Sequence, residues 1–260
     1  MDERRQVGQR RAPVEVAVAA GVGVVGVRVA GDRVGEFGVW HRCVARDVAA
    51  PGGRLAVATP EDVLLADGSG LAETGFGPAV AVGVDGGTLV AAAPDGRLAR
   101  RDGGSWATAG RVEGSVRALD GPLVATDTGV YGLDGGLAPL GLDDAADVAA
   151  AGPYAATSVG LYRRAGGEWV REHDGAVRVV AASADRDRAH AAGEGVLERT
   201  DGAWRTRPVP VDDPVVDIDY GPAVYAVTGA GTVLVDDGDG WRTRTLGMPD
   251  VRGLVVLGTG

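Results

Sequence analysis

A seven-residue pattern returns seven times along this chain, and nothing else in the sequence restricts its fold as much. Its clearest copies are Ala125–Tyr131 (ATDTGVY), Ala156–Tyr162 (ATSVGLY) and Ala191–Leu197 (AAGEGVL). Ala19–Val25, Ala92–Leu98 and Val227–Val233 are looser copies, and Ala58–Leu64 carries Asp62 where the others carry glycine. The turn positions Gly23, Asp62, Gly96, Gly129, Gly160, Gly195 and Gly231 lie 31 to 39 residues apart. A Gly-x-Trp or Gly-Trp element trails most copies, at Trp40, Trp106, Trp169, Trp204 and Trp241. Two landmarks in phase define a repeat, and this period marks an array of small supersecondary units.

Residues 115–140 show what one unit holds. Ser115–Leu119, Leu123–Thr126, Val130–Leu133 and Leu137–Leu140 read as four short strands. Asp120-Gly121-Pro122, the turn at Gly129 and Asp134-Gly135-Gly136 separate them. Gly129 can supply the positive φ of a tight hairpin. So small a sheet cannot bury its own faces. Packing blades face to face round a ring buries them, and closure protects their edges. The predicted fold is therefore all-β: a closed β-propeller of about seven short four-stranded blades. Residues 13–260 form one domain behind a flexible tail at 1–12. The two ends are out of phase with the repeat. The chain enters at Val14–Ala20 without an inner strand, and Val251–Leu257 reads as one inner strand too many. The C-terminal strand is predicted to complete the N-terminal blade.

Ala125–Gly136 and Ala156–Trp169 resemble degenerate Asp-box repeats, a turn motif of sialidase-like and photosystem-assembly-type propellers. The whole chain, composition included, resembles a family of haloarchaeal β-propeller proteins. That resemblance implies the fold and the source and carries no activity. The chain departs from WD repeats, with no Trp-Asp and no Gly-His dipeptide, and its period is too short for kelch repeats.

Charge narrows the partners. The net charge is −10 and the pI about 4.8, which argues against a general nucleic-acid binder. All 26 basic residues are arginine, asparagine is absent, and Ile218 is the only isoleucine. Such usage points to a GC-rich genome. Abundant aspartate without lysine suits molar salt, where screening falls to about 3 Å. The reading is a halophilic archaeal cytoplasm, with a GC-rich, non-halophilic actinobacterium as the plainer alternative. Cys43, the only cysteine, excludes an internal disulfide and fits a reducing compartment. Arg10-Arg11 before the apolar run Val16–Val25 mimics a secretion signal, but the run belongs to the repeat and reads as strand. No stretch is long and apolar enough to span a membrane as a helix.

Candidate chemistry concentrates on the inner strands, because propeller ligands sit at one mouth of the central channel. Arg46 and Asp47 lie on one inner strand, and Arg117, Arg178, Asp217 and Arg252 each follow a valine on another. These six are the candidate binding residues. An arginine cluster with an aspartate suits a carboxylate, a phosphate or an acidic peptide; mutual Arg–Asp pairs in a solvated channel are the plainer alternative. The tryptophans are predicted to pack in the outer part of their own blades. His41, Cys43 and Asp47 lack the converging ligands of a metal site, and Asp236–Asp239 lacks the offsets of a calcium loop. No catalytic residues, metal or cofactor are assigned. The predicted function is a non-catalytic interaction scaffold, a monomer binding a protein or peptide. Exposed apolar residues on one rim of the mouth would favour it. The alternative is a sensor or enzyme for a small anion at the channel mouth. At least three channel-facing arginines beside a pocket of about 300 Å3 or more would favour that.

Overall fold

The computed structural model describes residues 12–258. The expected tail at 1–12 lies outside these residues except for its last position. The described strands form seven four-stranded antiparallel sheets, and apart from a 3-10 turn at Pro51–Gly53 every regular element is a strand. Inner strands pack on one another all the way round the ring: Val251–Leu257, Asp47–Ala49, Ala81–Asp85, Val116–Asp120, Ala145–Ala149, Val177–Ala182, Val215–Tyr220 and back. This is a closed seven-bladed propeller. Blades 1 to 7 are numbered from the N-terminus.

Blade 1 closes the ring as predicted. Its inner strand is Val251–Leu257, followed outward by Val14–Ala20, Gly23–Ala30 and Arg33–His41. Val16 pairs with Val256 and Val18 with Leu254. The apolar run Val16–Val25 is thus strand and turn within this blade. Residues 115–140 form blade 4 as Val116–Asp120, Leu123–Thr126, Gly129–Gly132 and Ala138–Gly141, within a residue or so of the predicted strands.

The recurrent pattern is the hairpin between the second and third strands. In blade 4, Thr126 Oγ1 donates to the Gly129 carbonyl at 2.7 Å and accepts from the Thr128 N–H at 3.2 Å. Thr157 does the same with Gly160, and Thr59 with Asp62. The hydroxyl satisfies backbone groups that the tight turn leaves unpaired. Gly129 has φ +126°, and a Cβ there would fall 2.1 Å from the Leu142 carbonyl oxygen, so both conformation and space require glycine.

The core is divided among seven seams between neighbouring blades. Strand periodicity makes the division, since alternate residues face opposite neighbours. Ala17 and Ala19 face blade 2 with Val48 and Val57, while Val16 and Val18 face blade 7 with Tyr225 and Val233. The tryptophans correct the sequence reading. They seal seams instead of staying within their own blades. Trp106 donates its indole N–H to Thr74 Oγ1 of the preceding blade, Trp169 to the Leu140 carbonyl, and Trp204 to Glu172 Oε2. Trp241 is buried against the blade 6 side of its seam. Trp40 is out of phase with this series: Val34 holds its expected place on the outermost strand, and Trp40 lies six residues further on.

Candidate functional site

The inner strands all begin at the same face of the ring, and each steps out of register at that end. In blades 4 to 7 and in blade 1, two inner-strand residues oppose one on the second strand. Blades 2 and 3 show the same step: the N–H groups of Arg46 and Val80 bond the carbonyls of Ala58 and Ala92, which pair with Asp47 and Ala81. The extra residue of such a bulge leaves the ladder and re-aims its side chain. Round the ring these residues are Arg252, Arg46, Val80, Arg117, Ala146, Arg178 and Val216, so four of seven are arginine.

Five of the six predicted residues, Asp47, Arg117, Arg178, Asp217 and Arg252, line one central cavity of about 340 Å3. Arg46 stands apart, its guanidinium donating to the Ala79 carbonyl at 3.0 Å. Arg117 pairs with Asp144 at 2.6 Å. Arg178 and Arg252 are exposed and have no acidic partner among the described residues. Among these lining residues the polar side chains are all arginine or aspartate.

Below the arginines lies a belt of carboxylates. Asp47 Oδ1 accepts the N–H of Val48 at 2.8 Å, and its Oδ2 accepts that of Val82 in the next blade at 2.9 Å. Asp147 links Val148 to Val180 in the same way, and Asp217 links Ile218 to Leu254. One step further down, Asp219 bridges Tyr220 and Val256. Asp120 reaches the N–H of Ala150 at 2.7 Å. The inner strand is a sheet edge, with backbone donors left open toward the channel. Asp47, Asp147, Asp217 and Asp219 each close two of them, Asp120 closes one, and all five tie one blade to the next. Gly253 leaves room for this: a Cβ there would fall 3.1 Å from Asp217 Oδ2 and 3.6 Å from Asp47 Oδ1.

These carboxylates line the channel and are ringed by protein. Burial pushes Asp47 and Asp147 up to about 7 and Asp219 up to about 6, against the opposing pull of their N–H bonds. Asp217 is held well above the usual carboxylate range by burial and by the charges of Asp147, Asp47 and Asp219. Burial thus favours the neutral form along the belt.

Sequence reasoning missed Asp147, Asp120 and Asp219. A signal was present: Asp147-Val148-Ala149 repeats Asp47-Val48-Ala49, and Asp217-Ile218-Asp219 is a variant of it. The first hairpin varies in length between blades, so counting from the turn glycines lost the phase. The structure also separates His41, Cys43 and Asp47. His41 ends the outermost strand of blade 1, Cys43 packs half-buried on the seam with blade 2, and Asp47 is in the channel. Asp236 is a structural carboxylate, buried, paired with Arg207 at 2.9 Å and accepting the N–H groups of Gly238 and Gly240.

Fold and channel together define a seven-bladed propeller with an arginine-bearing mouth over a carboxylate belt. The family model described as Beta-prop_HVO_0234-like, beta propeller, matches residues 1–257, and the chain belongs to that family. No curated protein matches it in sequence. Among solved structures it is similar to YCF48 bound to D1 peptide, with a TM-score of 0.58 and 15% identity over 76% of this chain and 81% of that one. It is similar to a chain of the nidogen/laminin complex, with a TM-score of 0.56 and 9% identity over 94% and 98%. It is also similar to the extracellular domain of the hybrid two-component system BT4673 from B. thetaiotaomicron, with a TM-score of 0.60 and 9% identity over 89% and 38%. At these identities the likenesses show the fold alone. No helix among the described residues is long and apolar enough to cross a membrane.

Proposed function

We propose that this propeller is a non-catalytic scaffold that binds an acidic, partly apolar segment of another protein at the arginine-bearing mouth. One observation carries the reading: Arg178 and Arg252 stand exposed on the channel lining with no acidic partner among the described residues, re-aimed by bulges that recur in every blade. Unpaired guanidinium groups suit carboxylates. An apolar rim adjoins them. Exposed Val22 and Val44 lie on the same face, where the Gly21 N–H bonds the Asp250 carbonyl and the Ala45 N–H bonds that of Ala20. Two of the similar propellers were solved with a peptide or a protein partner, which agrees with this use of the fold. The lysine-free, acidic composition and the single cysteine support work in a salt-rich, reducing cytoplasm.

Arg117, Arg178 and Arg252 round a cavity of about 340 Å3 also support the second reading, a small-anion sensor or enzyme. One experiment separates the two. The tagged protein and an Arg117→Ala/Arg178→Ala/Arg252→Ala variant are used as baits at molar salt. A stoichiometric protein partner that the variant loses is the expected result. No partner, with phosphate or citrate raising the Tm of wild type alone, would replace the scaffold with the small-anion reading.

A further inference from the structure

The seven seams are built alike but not filled alike. The second residue of the outermost strand plugs the seam toward the preceding blade in blades 1, 2, 3, 5 and 6: Val34, Leu71, Trp106, Trp169 and Trp204. Leu137 and Trp241 stand just before that strand in blades 4 and 7. Val34 and Leu137 join continuous apolar seams. Between blades 1 and 2, Leu71 also packs on the seam core, yet an open cleft of about 960 Å3 remains beside it. Trp40 forms its opposite wall. Its indole lies flat on the backbone of Gly26, where a Cβ would fall 1.7 Å from the ring, and 46% of the residue is exposed. Leu55 and Leu257 complete the apolar lining.

The charge at the lip is net negative, Glu15 and Asp67 against Arg54. Glu15 is exposed and has no partner among the described residues. Asp67 accepts the N–H groups of Ser69 and Gly70 and remains anionic, since those bonds and the Ser69 hydroxyl hold its carboxyl below the usual range. The cation at the lip, Arg54, spends its guanidinium on the Ala66 carbonyl at 2.8 Å.

We propose that the cleft between blades 1 and 2 docks an aromatic side chain of a partner peptide, flanked by a basic residue that meets Glu15. The chain's own repeat supplies the argument: four of the seven seams are closed by an indole, two by Val34 and Leu137 in continuous apolar seams, and this one keeps a cleft beside its leucine. A ring entering the cleft gains Trp40 as an aromatic partner and covers Leu55 and Leu71. The site stands apart from the channel mouth and does not depend on it.

The test is a titration of the 15N-labelled protein with acetyl-Arg-Trp-Arg-amide, against acetyl-Arg-Ala-Arg-amide and acetyl-Glu-Trp-Glu-amide. The expected result is saturable shifts at Gly26 and Ser69–Leu71, with each control weaker by about tenfold. Leu71→Trp, which supplies the missing indole from within, should abolish these shifts while the spectrum stays dispersed. Should that variant fail to fold, Trp40→Ala serves in its place and should weaken binding about tenfold. Absence of saturable shifts in wild type overturns the proposal, as does unchanged binding in the substituted protein. Either result would make Trp40 a plug supplied from the other wall.

Discussion

The seam between blades 2 and 3 and the seam between blades 1 and 2 are the same construction with one side chain exchanged. In the first, Trp106 packs on Phe76 with ring centroids 4.7 Å apart, and its N–H is taken by Thr74. Arg97 lies over the other ring, 4.2 Å from the Phe76 centroid. In the second, Leu71 stands where Trp106 would, and the aromatic residue comes from the other wall and stays half exposed. The second strand of blade 2 is equally dry toward both seams, with Ala56 and Val57 fully buried on opposite sides of the blade. The ring is thus held at its hub, where closure demands it, and varies at its rim, where indole plugs, aliphatic plugs and one open cleft occur round the same ring. A rim position can gain a surface feature without loss of the fold.

The largest effect is expected where the comparison is broken altogether. Deleting residues 251–260 removes the inner strand of blade 1 and its pairing from Val16 to Ala19. Such a chain should lose cooperative unfolding in a denaturant titration; a normal transition would refute closure by this strand. Next comes the sealed seam. Trp106→Ala should cost about 3 kcal/mol and lower Tm by roughly 6–12 °C, read by calorimetry. Trp40→Ala should cost about 1 kcal/mol or less, because one face of its ring is already in water. Equal losses would erase the distinction between the two seams.

A smaller effect tests the hub. Asp47 and Asp147, raised to about 7, and Asp219, raised to about 6, hold protons that the unfolded chain releases nearer 3.8. Their contribution is therefore present in full at low pH and is lost as pH rises through 7. His190 acts in the opposite sense. Burial lowers it to about 4, so stability falls as pH drops from 6.5 toward that value. In a His190→Gln variant the urea midpoint should fall steadily from pH 4 to pH 7. A midpoint that rises across this window would mean that the belt stays ionised.

Much of the fold was legible because the repeat is local. The Ala-Thr-x-x-Gly hairpin is recorded in five consecutive residues, and Gly129 and Gly160 announce it directly. The phase offset at Val14 and Val251 revealed closure for the same reason. The channel was legible in part. Arg117, Arg178 and Arg252 follow valines at matching places, but the bulge that lets Arg46 and Asp47 serve different roles leaves no mark in composition. Trp40 misled outright: Gly38-Val39-Trp40 mimics the plug motif, while the true position, Val34, has no aromatic ring to announce it.

By itself the sequence determined the all-β class, a propeller of about seven blades, the glycine turns of the hairpins and the pairing of the two ends. Each depends on residues adjacent in the chain or on a period that can be counted. Tertiary structure alone decided which N–H groups the aspartates close, which arginines remain unpaired, and which seam stands open. Those outcomes depend on neighbouring blades, where residues some 30 positions apart meet. A one-residue bulge or a single smaller side chain there changes what the surface presents.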